Sequence, residues 1–143
     1  MRAALLQANS GIDPLLGART LVEAVERAAG EGADMLFTPE MSAVLDRDRT
    51  RAAGTIVAED QDVALAAVRE AAAKHGLWVH LGSLAVRGEA SDGRYANRAF
   101  VIDDVYTTGA TAKGCARVLK RAGAAEVNVL CWARVVRSEE DMR

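Results

Sequence analysis

Aromatic residues, proline and cysteine are all scarce in this chain. Phe, Trp and Tyr together make up 4% of its 143 residues. That is too few for the stacking platforms that hold single-stranded nucleic acid, so the core must be built from Ala, Val and Leu. The two cysteines, Cys115 and Cys131, have no nearby Cys or His, which excludes the usual zinc and redox spacings and a disulfide framework. No early apolar run is flanked like a signal peptide, and none reaches the ~18 apolar residues of a membrane span. With a formal net charge of −2, no overall field draws the chain to nucleic acid or an anionic membrane. These absences predict a cytoplasmic protein with neither kind of partner.

What remains is an ordinary globular balance, 50% hydrophobic and 27% charged, in a length typical of one domain. A domain of this size buries roughly 70% of the surface that its unfolded chain exposes. Residues 2–8, RAALLQA, read as a short strand, and NSGID supplies turn chemistry. Leu21, Val22, Val25, Ala28 and Ala29 recur at helical spacing up to Gly30 and Gly32. ADMLFTPEM reads as a second strand, stopped by Pro39. The charged stretch 42–53 reads as a solvated helix face or loop. A helix over residues 61–75 follows, with Val63, Ala66, Ala67, Val68 and Ala71 as its stripe, and Gly76 ends it. LWVHLGSLAVR is a third strand, bulged near Gly82. A polar turn, GEASDG, leads to a fourth strand, YANRAFVID. A helix over 112–122 and a last strand, EVNVLCWARVV, complete the order. The alternation predicts an α/β domain: a layered, mixed sheet of about five strands with flanking helices, over residues 1–143.

Four segments, LLQAN, GADMLFTPEM, AAAKHGLWVHLGS and YANRAFVID, occur in an order that resembles the N-terminal half of the carbon–nitrogen hydrolase (nitrilase) superfamily, over residues 1–103. The resemblance implies a Glu–Lys–Cys trio. The thiolate attacks a nitrile or amide carbon, the Glu is general base, and the Lys stabilises developing charge. Glu40, in FTPEM, matches the family Glu. The segments that carry the family Lys and Cys are absent. Lys113 falls near the expected Lys position but in TAKGCA, and Cys131 lies in VLCWARV; both read as coincidences. Cys115 reads as a small packing residue. His75 suits a helix C-terminus, and His80 alternates within a strand without a catalytic or ligand partner.

FVIDDVYTTGATA, continuing to residue 134, resembles the phosphoribosyl pyrophosphate (PRPP) motif of type I phosphoribosyltransferases, most closely the ComF-like branch, over residues 99–134. That resemblance implies that Asp103 and Asp104 engage ribose hydroxyls, directly or through Mg²⁺, with no metal site made by protein alone. Thr107, Thr108, Gly109, Ala110 and Thr111 would wrap the 5′-phosphate, with small side chains and a helix N-terminus favouring an anion. The pyrophosphate loop, flexible loop and hood of a transferase are missing.

Val101, Ile102 and Asp103 serve both readings, so the sequence looks like a chimera joined at a shared strand end. Half a hydrolase sandwich leaves faces uncovered, for which homodimerisation is one remedy. The leading expectation is weak Mg²⁺-assisted binding of PRPP or another ribose-5-phosphate ligand without efficient turnover. A non-catalytic scaffold or interaction protein ranks second. Residual amidase activity from Glu40, Lys113 and Cys131 ranks third, and whether the chain is an enzyme stays open.

Overall fold

The computed structural model describes residues 1–88, 94–106, 116–117, 120–121, 123 and 128–134. Their elements are β1 (Ala3–Leu5), α1 (Pro14–Gly30), β2 (Met35–Phe37), α2 (Arg49–Thr55), α3 (Val63–His75), β3 (Trp78–Arg87), β4 (Tyr95–Tyr106) and β5 (Asn128–Arg134). A single 3₁₀ turn, Glu59–Gln61, leads into α3. The strands form one sheet in the order β1-β2-β3-β4-β5. β1, β2 and β3 run parallel, β4 is antiparallel to β3, and β5 is parallel to β4. The expected mixed α/β sheet is therefore what forms.

α1, α2 and α3 each begin on an aspartate. Asp13 accepts the Leu15 and Leu16 amides and Pro14 takes the first turn, where its missing N–H costs nothing. Asp48 accepts from Thr50 and Arg51, and Asp62 from Leu65. Gly76 closes α3 in the left-handed conformation at φ 59°, which only glycine adopts without a side-chain penalty.

α1 and α3 pack together on one face of the sheet. Leu21, Val25 and Ala28 of α1 and Leu65, Val68 and Ala72 of α3 meet Leu36, Val79, Leu81, Leu84, Val86, Phe100 and Ile102 from the strands. In β3 the inward positions alternate until Leu81, where the β3–β4 register shifts between Leu81 and Leu84. The bulge expected near Gly82 is thus present.

The charged stretch 42–53 forms the loop and solvated helix expected of it, tied together by one ion pair. Arg51 forks onto Asp46, with Nε at 2.6 Å and Nη2 at 2.8 Å, and the Asp48 amide adds a third bond at 2.9 Å. The Arg51 guanidinium, more than the Asp48 amide, holds the Asp46 carboxyl below the usual carboxylate range. A depressed folded value means stability that is fully present above the unfolded pKa of about 4 and lost as pH falls through the folded one. We expect an Arg51→Gln chain to lose less stability than the parent between about pH 6 and about pH 3, as read by urea unfolding at both. Equal losses would show that the pair contributes nothing.

Two expectations need correction. β1 is shorter than the predicted 2–8 strand, since only Ala3–Leu5 finds ladder partners in β2. β4 does not end at the acid pair. It continues to Tyr106, and Asp103 lies inside the ladder opposite Cys131, with 4% of its surface exposed. The strand thus runs past Asp103, whose carboxyl group is buried within the ladder. Asp104 lies on the same strand by its backbone, and Thr107, Thr108, Gly109, Ala110 and Thr111 lie outside the described residues.

Candidate active site at the end of the second strand

Strand direction decides which residues can meet. The parallel strands β1–β3 all deliver their C-terminal ends to one rim of the sheet, the rim where open α/β sheets place ligands. β2 ends at Phe37, and Thr38 prolongs the ladder by donating its amide to the His80 carbonyl at 3.0 Å. Pro39 then stops the strand and Glu40 emerges exposed at that rim. β4 begins on the same rim because it is antiparallel to β3. Asn97, near its start, donates from Nδ2 to Glu40 Oε1 at 2.8 Å. The carboxylate is thus oriented by a second strand while still open to an incoming group.

The turn that carries Glu40 is gripped from below. Thr38, Ser42 and Ser83 are all buried, at 8%, 5% and 4% exposure. Their hydroxyls bond to one another or to the turn's backbone. Gly82 has no side chain because none fits: a Cβ there would stand 2.4 Å from the Thr38 carbonyl oxygen and 2.5 Å from that of Pro39. Met41 sits at φ 50°, a left-handed conformation that a non-glycine residue keeps only when its surroundings hold it. Beside this turn is a cavity of about 50 Å³ bounded by Met41, Ala43, Val44, Leu84 and Ala85, room for a few water-sized groups.

The other sequence-derived candidates do not join Glu40. Six residues of extended β4 separate Asn97 from Asp103, about 20 Å at ~3.3 Å per residue. Asp103 therefore belongs to the opposite rim. Cys131 pairs in register with Asp103, so it too is remote, well beyond hydrogen-bond reach of Glu40. β5 starts level with Phe100 and runs away from the Glu40 rim, and no residue of it returns there. The trio of Glu40, Lys113 and Cys131 does not converge, because Cys131 is on the wrong rim; Lys113 and Cys115 lie outside the described residues. His80, half-buried with its ring 5.5 Å from that of Phe37, is pushed below the usual imidazole range by burial. It packs in the sheet as a neutral ring.

Asn97, Thr38, Ser42 and Ser83 were not picked out as site residues from sequence. The signal was present as polar residues inside strand patterns, the Asn of YANRAF and the Ser of LGSLA. Only the register shows that they face the Glu40 turn. Among the described residues no three His, Cys, Asp or Glu side chains gather as a metal site would require, and no helix is long and apolar enough to cross a membrane.

Comparison with known proteins adds independent support. The carbon-nitrogen hydrolase family matches residues 2–113. No curated protein sequence matches. Among solved structures, an amidase from Nesterenkonia sp. is similar at 27% identity over 72% of this chain and 38% of that chain, with a TM-score of 0.59. A mutant of the amidase from Nesterenkonia sp. AN1 in complex with butyramide gives the same identity, coverage and TM-score. The C. elegans NitFhit protein shares the fold at 24% identity, with 71% of this chain and 24% of that chain covered and a TM-score of 0.61. The chain thus spans 38% of the length of the amidase chain it matches.

These matches overturn the expected binding of PRPP or another ribose-5-phosphate. The hydrolase match continues through residues 104–113, so the segment taken for a phosphoribose loop lies within it. By the extent of this match, residues 2–113 out of 143, the chain belongs to the carbon–nitrogen hydrolase family.

Proposed function

We propose that the chain is an amidase-type carbon–nitrogen hydrolase acting on small amides, with Glu40 as its general base. The observation that carries this reading is the Glu40 carboxylate itself. It is exposed at the C-terminal rim of β2, held by Asn97 at 2.8 Å, on a turn whose backbone is fixed from both sides. A carboxylate so placed can take a proton from a thiol. The thiolate then adds to the amide carbon, and the tetrahedral intermediate collapses to a thioester as the C–N bond breaks. Glu40 returns the proton to the departing nitrogen, which leaves as ammonia, and water afterwards hydrolyses the thioester. Lys113 is the last residue of the family match, and its ammonium suits stabilisation of the oxyanion. With Cys131 on the far rim, Cys115 is the cysteine that we assign as nucleophile.

Ammonia release from butyramide tests this in four chains. The parent should be active. Glu40→Gln, which keeps the shape but cannot accept the proton, should be slower by at least ~100-fold. Cys115→Ala should be inactive and Cys131→Ala unchanged. A folded parent chain that releases no ammonia sinks the hydrolase reading and leaves the scaffold reading in its place.

A further inference from the structure

We infer that the hydroxyls of Thr38, Ser42 and Ser83 form a positioning clamp that sets where the Glu40 carboxylate stands relative to Asn97. The inference concerns the same site and rests on Glu40 being the general base.

The direction of every bond in the clamp follows from proton counting. The Gly82 amide donates to Thr38 Oγ1 at 3.2 Å. Ser42 Oγ donates to the Pro39 carbonyl, which uses its single proton. In the 2.6 Å contact between Thr38 Oγ1 and Ser42 Oγ, Thr38 must therefore be the donor. The result is a one-way relay from the Gly82 amide through two hydroxyls to the Pro39 carbonyl. From the other side, Ser83 Oγ accepts the Met41 amide at 2.9 Å, and the Ser83 carbonyl accepts the Ser42 amide at 3.0 Å.

The placement of the two endpoints is what gives the clamp its role. The Pro39 carbonyl belongs to the peptide entering Glu40, and the Met41 amide belongs to the peptide leaving it. Both peptide planes that flank the Glu40 Cα are held, each by a buried hydroxyl. The left-handed φ of 50° at Met41 is a conformation that needs such holding. The Glu40 side chain, by contrast, meets a different element, β4, through Asn97. Hydroxyls merely satisfying one another in a tight turn would leave that contact indifferent to their loss. A clamp would not.

The side-chain amide of Asn97 is the reporter, followed by ¹H–¹⁵N NMR, with Glu40→Ala marking the resonance of an Asn97 that has no carboxylate partner. In Thr38→Val, which keeps shape and loses the hydroxyl, and in Ser83→Ala, the Asn97 resonance should move at least halfway to that mark. Thr38→Ser should restore it. Protection of the Phe100 amide from hydrogen exchange should stay within threefold of the parent, showing the sheet intact. In amide hydrolysis the same two variants should lose tenfold or more in kcat with KM within twofold. If Thr38→Val does not fold, Ser83→Ala decides, since it removes only an acceptor. An unmoved Asn97 resonance in a folded Ser83→Ala chain overturns the clamp, whatever the activity. Full activity in Glu40→Gln overturns Glu40 as the general base instead, and leaves the resonance to judge the clamp alone.

Discussion

Gly82→Ala is expected to displace the Glu40 turn and to cost the fold stability at the same time. The new Cβ would lie 2.4 Å from the Thr38 carbonyl oxygen and 2.5 Å from that of Pro39. Both are backbone atoms, so no side-chain rotation relieves the clash. Overpacking of this kind costs about 1–3 kcal/mol, and for a domain near this length each kcal/mol lowers Tm by roughly 2–4 °C. A fall of roughly 3–10 °C in Tm should therefore accompany a loss of amide hydrolysis to the level of Glu40→Gln. The ordinary preference for alanine over glycine works the other way, but it is only a few tenths to ~1 kcal/mol. Sterics win. A variant with the parent's Tm and rate would mean that the turn does not pack against β3 as described.

The largest effect on stability alone should come from Phe100→Ala. Phe100 is fully buried, the largest such side chain in the described core, and lies opposite Leu81 just where the β3–β4 register changes. Removing a buried phenyl ring costs about 3–5 kcal/mol, because transfer and cavity terms add. A whole domain has only about 5–15 kcal/mol to lose. Urea unfolding should show the midpoint falling with little change in slope. A loss under ~1 kcal/mol would mean that the neighbouring Leu and Val side chains collapse into the space and that the core is far looser than its burial implies.

Much of this architecture was legible in the chain, and the exceptions are instructive. α1, α3 and β3 were readable because Leu21, Val25 and Ala28, or Val79 and Leu81, repeat at the period of their element. The bulge was readable from a glycine within a strand pattern. α2 was not, because Arg49–Thr55 buries no residue and so leaves no periodic stripe; its signal was the Asp48 cap instead. Glu40 was found from its neighbours, FTPEM. Asn97 could not be, since its distance from Glu40 depends on the pairing of β4 with β3. The acid pair misled for a related reason. Asp103 and Asp104 read as a strand end because polar residues usually stop an apolar run, whereas β5 pairs alongside and keeps the strand going to Tyr106. A parallel partner far along the sequence is invisible to a local pattern.

That same mixture of strand directions has a consequence for how the chain folds. Among the described strands, only β3 and β4 form an antiparallel neighbouring pair, so only they can zip together from the turn that joins them, an event of microseconds in isolated hairpins. β1 must wait for α1 to cross before meeting β2, and β2 for α3 before meeting β3. Each of those closures spends chain entropy before any ladder bond rewards it. The Glu40 turn rests on β3 and reaches to β4. It therefore docks onto the part of the sheet that is able to form first, and Glu40 has a finished seat when its own strand arrives.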